Sequence, residues 1–431
     1  MRDDFLEEAA GKWPHRAALS DLERSWTYAE LDAWVTEIAR RIQTEDAPAE
    51  GDVMALVAEP TPEGIATLLA APRAGLTVAP LHPKLTEAEH AQALRALGGA
   101  RPGGHCVLWT SGSAGRPRGV VLSGAALRHS ASASASRLGL RPGDRWLASL
   151  SMAHVGGLAL VTRAVLLGAE ILATGPFDTS VANALVDRGR VTHASLVPTQ
   201  LLRLLEARAS APPPDTFRCV LVGGAQAPPD LLRRALDAGW PLALTYGLSE
   251  MSSQVATAPP ELVRRLPGTV GPPLEGVEVR ITELGEILAR GPTQAVGYLA
   301  AAGPLADEDG WHATGDLGRL DGEGNLWIVG RISFRILSGG VSVDPVEVEE
   351  VLRSHPTVVD ACVVGVDDAE WGERVVAAVV PVEGEFDLEV LDAFARERLM
   401  PAKRPRRWLL LDSLPLNPNG KLDREAVRRR A

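Results

Sequence analysis

The stretch Cys106-Val107-Leu108-Trp109-Thr110-Ser111-Gly112-Ser113-Ala114-Gly115-Arg116-Pro117-Arg118-Gly119-Val120-Val121-Leu122 decides how the rest of the chain is read. Its first four residues form a short apolar run suited to a buried strand, and Val120-Val121-Leu122 restores order on the far side. Between them, the loop 110–119 carries the glycines Gly112, Gly115 and Gly119 and the hydroxyls of Thr110, Ser111 and Ser113. Glycine accepts positive φ, so successive backbone N–H groups can converge on one anion. The hydroxyls add donors and Arg118 adds positive charge. A loop of this composition wraps a polyphosphate, although the GxxxxGK[ST] spacing of the P-loop is absent.

On both sides of this loop the sequence alternates between two periodicities. Thr27 followed by Glu30 predicts a capping box, with Leu31, Trp34, Val35 and Ile38 as the apolar face of a helix. Strand-like runs at 53–58, 76–79, 145–150, 170–173, 191–196, 219–222 and 242–245 alternate with helix-like segments at 61–71, 155–167, 198–207 and 228–238. This βαβ rhythm predicts an α/β fold with parallel-rich sheets flanked by helices. After about residue 265 short strands and Gly-rich turns dominate to about 330, as expected of a β subdomain. A separate α+β unit of 332–431 follows, with helices at 346–352 and 388–399 and strands at 358–366 and 374–380. The expected organisation is a large domain over 1–331 and a small mobile C-terminal domain over 332–431, with the hinge near Ser333.

Composition bounds the function. At ~150 residues per domain, 431 residues correspond to two or three domains. An apolar fraction of 45% and a charged fraction of 23% exclude a disordered chain, a disulfide scaffold and a fibrous repeat. The formal charge of −11 argues against nucleic acid as partner. Cys106, Cys219 and Cys362 are odd in number and widely spaced, which fits a reducing, cytoplasmic setting and no metal cluster. No signal peptide is read at Met1, and the most apolar region, 149–171, is broken by His154, its glycines and Arg163, so no membrane insertion is expected. Only Lys12, Lys84, Lys403 and Lys421 are lysines among 44 basic residues, which draws attention to Lys421 in the tail Pro418-Asn419-Gly420-Lys421-Leu422.

Three further segments carry chemistry. Gly223-Gly224-Ala225 ends a strand, where paired glycines let a flat ligand approach the backbone or simply make a tight turn. Thr245-Tyr246-Gly247-Leu248-Ser249-Glu250 ends another, offering an aromatic face for a base and a hard oxygen for Mg²⁺ beside phosphates. In Trp311-His312-Ala313-Thr314-Gly315-Asp316, the carboxylate of Asp316 can grip two ribose hydroxyls or merely hold a turn; Arg331 follows it.

In this order, the five segments resemble the adenylate-forming superfamily of acyl-CoA synthetases, luciferases and peptide-synthetase adenylation domains, from about residue 10 to 427. The resemblance implies activation of a carboxylic acid by ATP and Mg²⁺, followed by displacement of AMP by a thiol, here CoA. It implies that 110–119 holds phosphate, with Arg118 standing where Lys is usual and Ala114 where a hydroxyl is usual. Gly223, Gly224, Ala225, Thr245 and Tyr246 would form the adenine pocket, and Glu250 would hold Mg²⁺. Asp316 would bind ribose with Arg331 nearby, and Lys421 would contact the substrate carboxylate and α-phosphate oxygens. Gly339 and Gly340 would line the CoA channel, although Val341-Ser342-Val343-Asp344-Pro345 departs from the usual sequence after them, and Phe334 stands where Asp is common after the hinge. The basic cluster Lys403, Arg404, Arg406 and Arg407 reads either as a solvated face or as a holder of CoA phosphates.

Within the superfamily the chain most resembles the o-succinylbenzoate–CoA ligase family of menaquinone biosynthesis. The features are its short length, the segment Val191–Gln200, Glu250-Met251-Ser252-Ser253-Gln254 and His154-Val155-Gly156-Gly157-Leu158. The resemblance places His154, Ser195, Gly247 and Gln254 by the acyl pocket, with His154 also in a catalytic role; His193 reads as a structural residue. Ligation of another aryl or acyl acid, a carrier-protein acceptor and a non-catalytic nucleotide-binding protein remain as alternatives; the presence of Glu250, Asp316, Arg331 and Lys421 argues against the last. A homodimer is the expectation for the class.

Overall fold

The computed structural model describes the chain apart from residues 1–3, 46–48, 111–117, 209–210, 300–302, 369, 385, 418–421 and the side chain of Ser342. The predicted loop residues Ser111, Gly112, Ser113 and Gly115, and Lys421, therefore lie outside the described residues. Two compact units are present: residues 1–314 with 319–328, and residues 315–318 with 329–431.

The first unit is α/β. Its larger sheet has eight strands in the order Ser253–Ala258, Leu242–Leu248, Cys219–Val222, His193–Leu196, Arg145–Leu147, Glu170–Leu172, Ala17–Ser20 and Ser25–Thr27. All inner pairs are parallel and both edge pairs antiparallel. The parallel core is what the alternating pattern dictates, because each crossover helix covers one face and both faces become apolar. The helix Val155–Leu167 shows this: Leu158, Ala159, Leu160, Val161, Ala164 and Val165 are all buried. The antiparallel edges are not legible in that rhythm. Ser253–Ala258 turns back directly on Leu242–Leu248, and the N-terminal hairpin is set by Asp21, whose carboxylate accepts from the N–H groups of Glu23 and Arg24.

A second sheet holds five strands in the order Gly297–Tyr298, Arg118–Leu122, Cys106–Thr110, Thr77–Leu81 and Val53–Val57. The segment that opened the sequence reading is here an antiparallel pair with Thr110 opposite Arg118, so the flanking strands include both ends of the expected 110–119 loop. The Thr27–Glu30 capping box forms as expected: the Thr27 N–H and hydroxyl both donate to Glu30 Oε2, and the Glu30 N–H returns to Thr27 Oγ1. A four-stranded sheet of Glu278–Ile281, Glu286–Arg290, His312–Leu320 and Leu326–Arg331 makes up the β region. Its last hairpin turns at Asp321, whose carboxylate accepts from Asn325 and from Trp327 Nε1.

The second unit is α+β. Its sheet orders Val341–Val343, Ile336–Ser338, Gly372–Pro381 and Val358–Asp368, with Arg407–Leu410 parallel to the long strand 372–381. The helices Pro345–Arg353 and Leu388–Arg398 pack Val348, Leu352, Leu391 and Ala395 onto that sheet. Arg424, just beyond Lys421, is pinned in this core by both carboxylate oxygens of buried Glu349 and by the carbonyl of Val363.

Candidate active site

Three neighbouring parallel strands of the large sheet bring Leu196, Val222 and Leu244 into register; the first two end there and the third continues to Leu248. The carboxyl ends of parallel strands are where open α/β sheets take ligands, because the loops that follow diverge and leave a crevice. Register pairs Val222 with Leu244, so Gly223 lies against Thr245; a Cβ at Gly223 would stand 2.6 Å from Thr245 Cγ2. Two of the expected adenine-pocket segments are thus in contact. Tyr246 is buried in the core opposite Ala256 rather than standing open. From Thr245 a chain of hydroxyls runs inward. Thr245 Oγ1 is 3.0 Å from Thr257 Oγ1, which donates to Gln254 Oε1 at 2.7 Å. Gln254 is buried and its Nε2 has no partner among the described residues.

Gly247 and Gln254 are opposite each other in the antiparallel pair, and the backbone approaches there more closely than any side chain allows. A Cβ at Gly247 would stand 1.8 Å from the Ser253 carbonyl oxygen. The turn is built by Ser252 and Ser253, which carry φ of 51° and 113°. The Ser252 carbonyl accepts from Ser130 Oγ, while the buried Ser252 hydroxyl has no partner among the described residues.

Glu250 sits in the short helical turn Ser249–Met251. Its Oε1 accepts from the hydroxyl of Tyr298 at 3.3 Å, and the Arg118 guanidinium lies 5.6 Å from the Tyr298 ring centroid. Burial, with the Glu250 charge, raises the Tyr298 phenol above its usual range, so it stays a donor. Tyr298 was not singled out in the sequence. Only its pairing with Val120 carries it between Arg118 and Glu250. Among the described residues no three acidic or His/Cys side chains gather as a metal cage. A lone carboxylate nevertheless suits Mg²⁺, which keeps waters and takes its remaining ligands from substrate phosphates.

His154 caps the N-terminus of helix Val155–Leu167 with its ring 5.4 Å from that of His82. Nine residues along, about 13 Å by helical rise, lies Arg163, only 1% exposed. Its Nε donates to Ser134 Oγ at 2.8 Å, and its guanidinium lies 4.9 Å from the ring centroid of Trp146. No carboxylate pairs with it among the described residues, and its Nη1 has no hydrogen-bond partner. Burial lowers its pKa to about 10, so the cation persists at neutral pH. Ser195 is buried on the same layer, accepting from Trp146 Nε1 at 3.1 Å. His193 stacks on Trp146 and is held neutral by burial, which lowers it to about 4. Arg163 is the residue sequence reasoning missed as a site; it had served only to exclude a membrane span.

In the second unit, Arg331 Nε lies 3.4 Å from Asp316 Oδ1, so these two expected residues are together. Gly339 and Gly340 join the strands 336–338 and 341–343, and the Gly339 N–H donates to the Trp371 carbonyl. Of the basic cluster, Lys403 pairs with Glu347, Arg404 donates to the carbonyls of Leu399 and Arg396, and Arg407 to that of Ala431. Arg406 lies over the Trp371 ring, 3.5 Å from its centroid.

The site and the fold are those of an enzyme that binds an adenine nucleotide: the chain belongs to the AMP-binding enzyme family, whose profile matches residues 6–99 and 105–304, with the family's C-terminal domain matching 347–421. Among curated proteins it is 35% identical to the 2-succinylbenzoate–CoA ligase of Geobacillus kaustophilus, over 99% of this chain and 97% of that protein. It is 39% identical to the 2-succinylbenzoate–CoA ligase of Bacillus anthracis, over 75% and 69%. Among solved structures, o-succinylbenzoate CoA synthetase from Bacillus subtilis with its acyl-adenylate intermediate superposes with a TM-score of 0.90 at 29% identity, covering 99% and 98% of the two chains. ATP-bound MatB from Rhodopseudomonas palustris gives 0.92 at 25% identity, covering 100% and 99%.

Proposed function

We propose that this chain is an ATP-dependent acid–CoA ligase that converts 2-succinylbenzoate to its acyl-adenylate, releasing pyrophosphate, and then to 2-succinylbenzoyl-CoA and AMP. In the first half-reaction a carboxylate oxygen attacks the α-phosphorus and the bond to pyrophosphate breaks. The nucleophile is already ionised, so no general base is needed; the barrier falls through fixed donors placed where charge builds on phosphoryl oxygens. On the family resemblance those donors come from the 110–119 loop, Arg118 and Lys421. Gly223, Gly224, Ala225, Thr245 and Tyr246 take the adenine, and Asp316 with Arg331 takes the ribose. Glu250 would hold Mg²⁺, whose charge would offset that of the phosphates. Tyr298 orients the Glu250 carboxylate, and its ring keeps Arg118 alongside. In the second half-reaction the CoA thiol attacks the acyl carbon and AMP leaves, with Gly339 and Gly340 at the thiol's approach and the hinge at Ser333 exchanging the two states.

The observation that carries the substrate assignment is Arg163. The acid has two carboxylates. With the aliphatic one spent as nucleophile, the aromatic one stays an anion, and a buried anion needs a cation. Arg163 supplies a buried cation with no acid partner among the described residues. Its planar fork suits a carboxylate; Gln254 Nε2 and Ser252 Oγ are further buried polar atoms without a partner among the described residues. His154, Ser195 and Gly247 complete the pocket on the family resemblance.

Pyrophosphate release with ATP should be measured over a panel of acids. 2-Succinylbenzoate should turn over best, 4-oxo-4-phenylbutanoate (which lacks the aromatic carboxylate) poorly, and fatty acids not at all. Arg163→Met should remove the difference between the first two. Preference for a monocarboxylic acid would replace this reading with that of another acyl or aryl ligase. AMP release with a phosphopantetheinylated carrier protein in place of CoA would assign the other acceptor.

A further inference from the structure

Trp146 is fully buried and meets three polar groups at once. One face lies beneath the Arg163 guanidinium, 4.9 Å from centroid to Cζ. The His193 ring is stacked on it, 4.9 Å away and 26° from coplanar. Its Nε1–H donates to Ser195 Oγ at 3.1 Å. The stack is fixed from the other side as well, since Thr192 Oγ1 lies 2.8 Å from His193 Nδ1 and also accepts from the Arg145 N–H. Register explains the arrangement: Trp146 is opposite His193 on neighbouring parallel strands, and Ser195, two residues on, returns to the same face.

We propose that Trp146 is a positioning residue for the acid substrate: its ring, backed by His193, fixes the Arg163 guanidinium in one orientation, and its indole N–H fixes the hydroxyl of Ser195. The inference rests on the assignment of Arg163 to the second carboxylate. Among the described residues Arg163 makes one hydrogen bond, Nε to Ser134 Oγ, and a single bond does not fix the orientation of a guanidinium by itself. An aromatic face beneath the cation removes that freedom while leaving the outer nitrogens open to a ligand. A carboxylate in this position would meet a cation already aimed and already dry, so little ordering is needed on binding. His193 must be uncharged, because a second cation stacked on the indole would oppose Arg163.

The test uses the full-length enzyme and ATP–pyrophosphate exchange with two acids, 2-succinylbenzoate and 4-oxo-4-phenylbutanoate. Trp146→Leu should raise KM for 2-succinylbenzoate tenfold or more, with kcat and the KM for ATP within twofold, and should raise the KM for 4-oxo-4-phenylbutanoate only by the small factor that comes through Ser195. Trp146→Phe retains the ring and loses only the N–H. It should restore most of the preference for the dicarboxylate and raise both KM values by a similar small factor through Ser195. If Trp146→Leu fails to fold, His193→Leu carries the test, with the same selective rise expected at smaller size. Equal rises for both acids in Trp146→Leu, or no rise for 2-succinylbenzoate in that variant once folded, would overturn the proposal. Arg163→Met in parallel separates the two layers of the argument. If it abolishes the preference while the Trp146 variants do not, the positioning role fails and the carboxylate assignment stands. If it leaves the preference intact, the assignment itself fails.

Discussion

Replacing Gly247 by Ala asks whether the backbone around Gln254 must be as tight as it is. The added Cβ would fall 1.8 Å from the Ser253 carbonyl oxygen, 2.6 Å from its carbon and 2.9 Å from Gln254 Cα. Every one of these is a backbone atom, so no side chain can swing away. Relief requires the two strands to part by more than an ångström, against the pairing of Gly247 with Gln254 and Leu248 with Ser253. Overpacking of this kind costs typically 1–3 kcal/mol, and loss of about one net hydrogen bond adds about 1. A total near 3 kcal/mol, felt where Gln254 and Glu250 are positioned, corresponds to about a hundredfold in rate at 1.36 per decade. Pyrophosphate release by G247A should therefore fall about a hundredfold in kcat/KM. G11A is the control: Gly11 is in an N-terminal helix with nothing within 4 Å of an added Cβ, and it should keep full activity. Activity of G247A within threefold of the parent would refute the reasoning.

Tyr298→Phe removes the donor to Glu250 while keeping the ring beside Arg118, and should lower adenylation several-fold with a raised Mg²⁺ requirement in a metal titration; unchanged Mg²⁺ dependence would count against the Tyr298–Glu250 link. Glu349→Gln leaves the Arg424 guanidinium buried without its countercharge and should destabilise the second unit by about 3 kcal/mol in urea unfolding, whereas loss below 1 kcal/mol would show the pair to be dispensable. His193 has its pKa depressed to about 4 by burial, so the unfolded chain takes up a proton near pH 6.5 that the folded chain refuses. Its contribution to stability is present above about pH 6.5 and is lost as pH falls toward 4. H193Q should flatten that part of the pH–stability curve followed by chemical denaturation, and an unaltered slope would remove His193 from the account.

Much of the fold was legible because crossover helices and buried strands impose different periods. The parallel core and the capping box at Thr27 follow directly from those patterns. What escaped had no local signature. Strand Ser253–Ala258 is absent from the strand-like runs of the sequence because its reversal depends on positive φ at two serines, residues that do not announce it. Tyr298 stands in a two-residue strand, too short for any period, and gains meaning only across the sheet. Arg163 was visible, but as a blemish in an apolar run. Its import lies in the absence of an acid partner among the described residues, which only the packing reveals. Ser195 and Gln254, reached by resemblance, are buried, with Ser195 Oγ accepting from Trp146 and Gln254 Oε1 from Thr257.

The two serines at the reversal have a consequence for anyone evolving this protein toward heat tolerance. Left-handed and extended-positive backbone at an L-residue costs about 1–3 kcal/mol per position, so glycine at 252 or 253 would be enriched early in a thermal selection. Those same clones would loosen the tight strand approach opposite Gly247. Selection for survival at high temperature and selection for turnover should thus pull this turn in opposite directions.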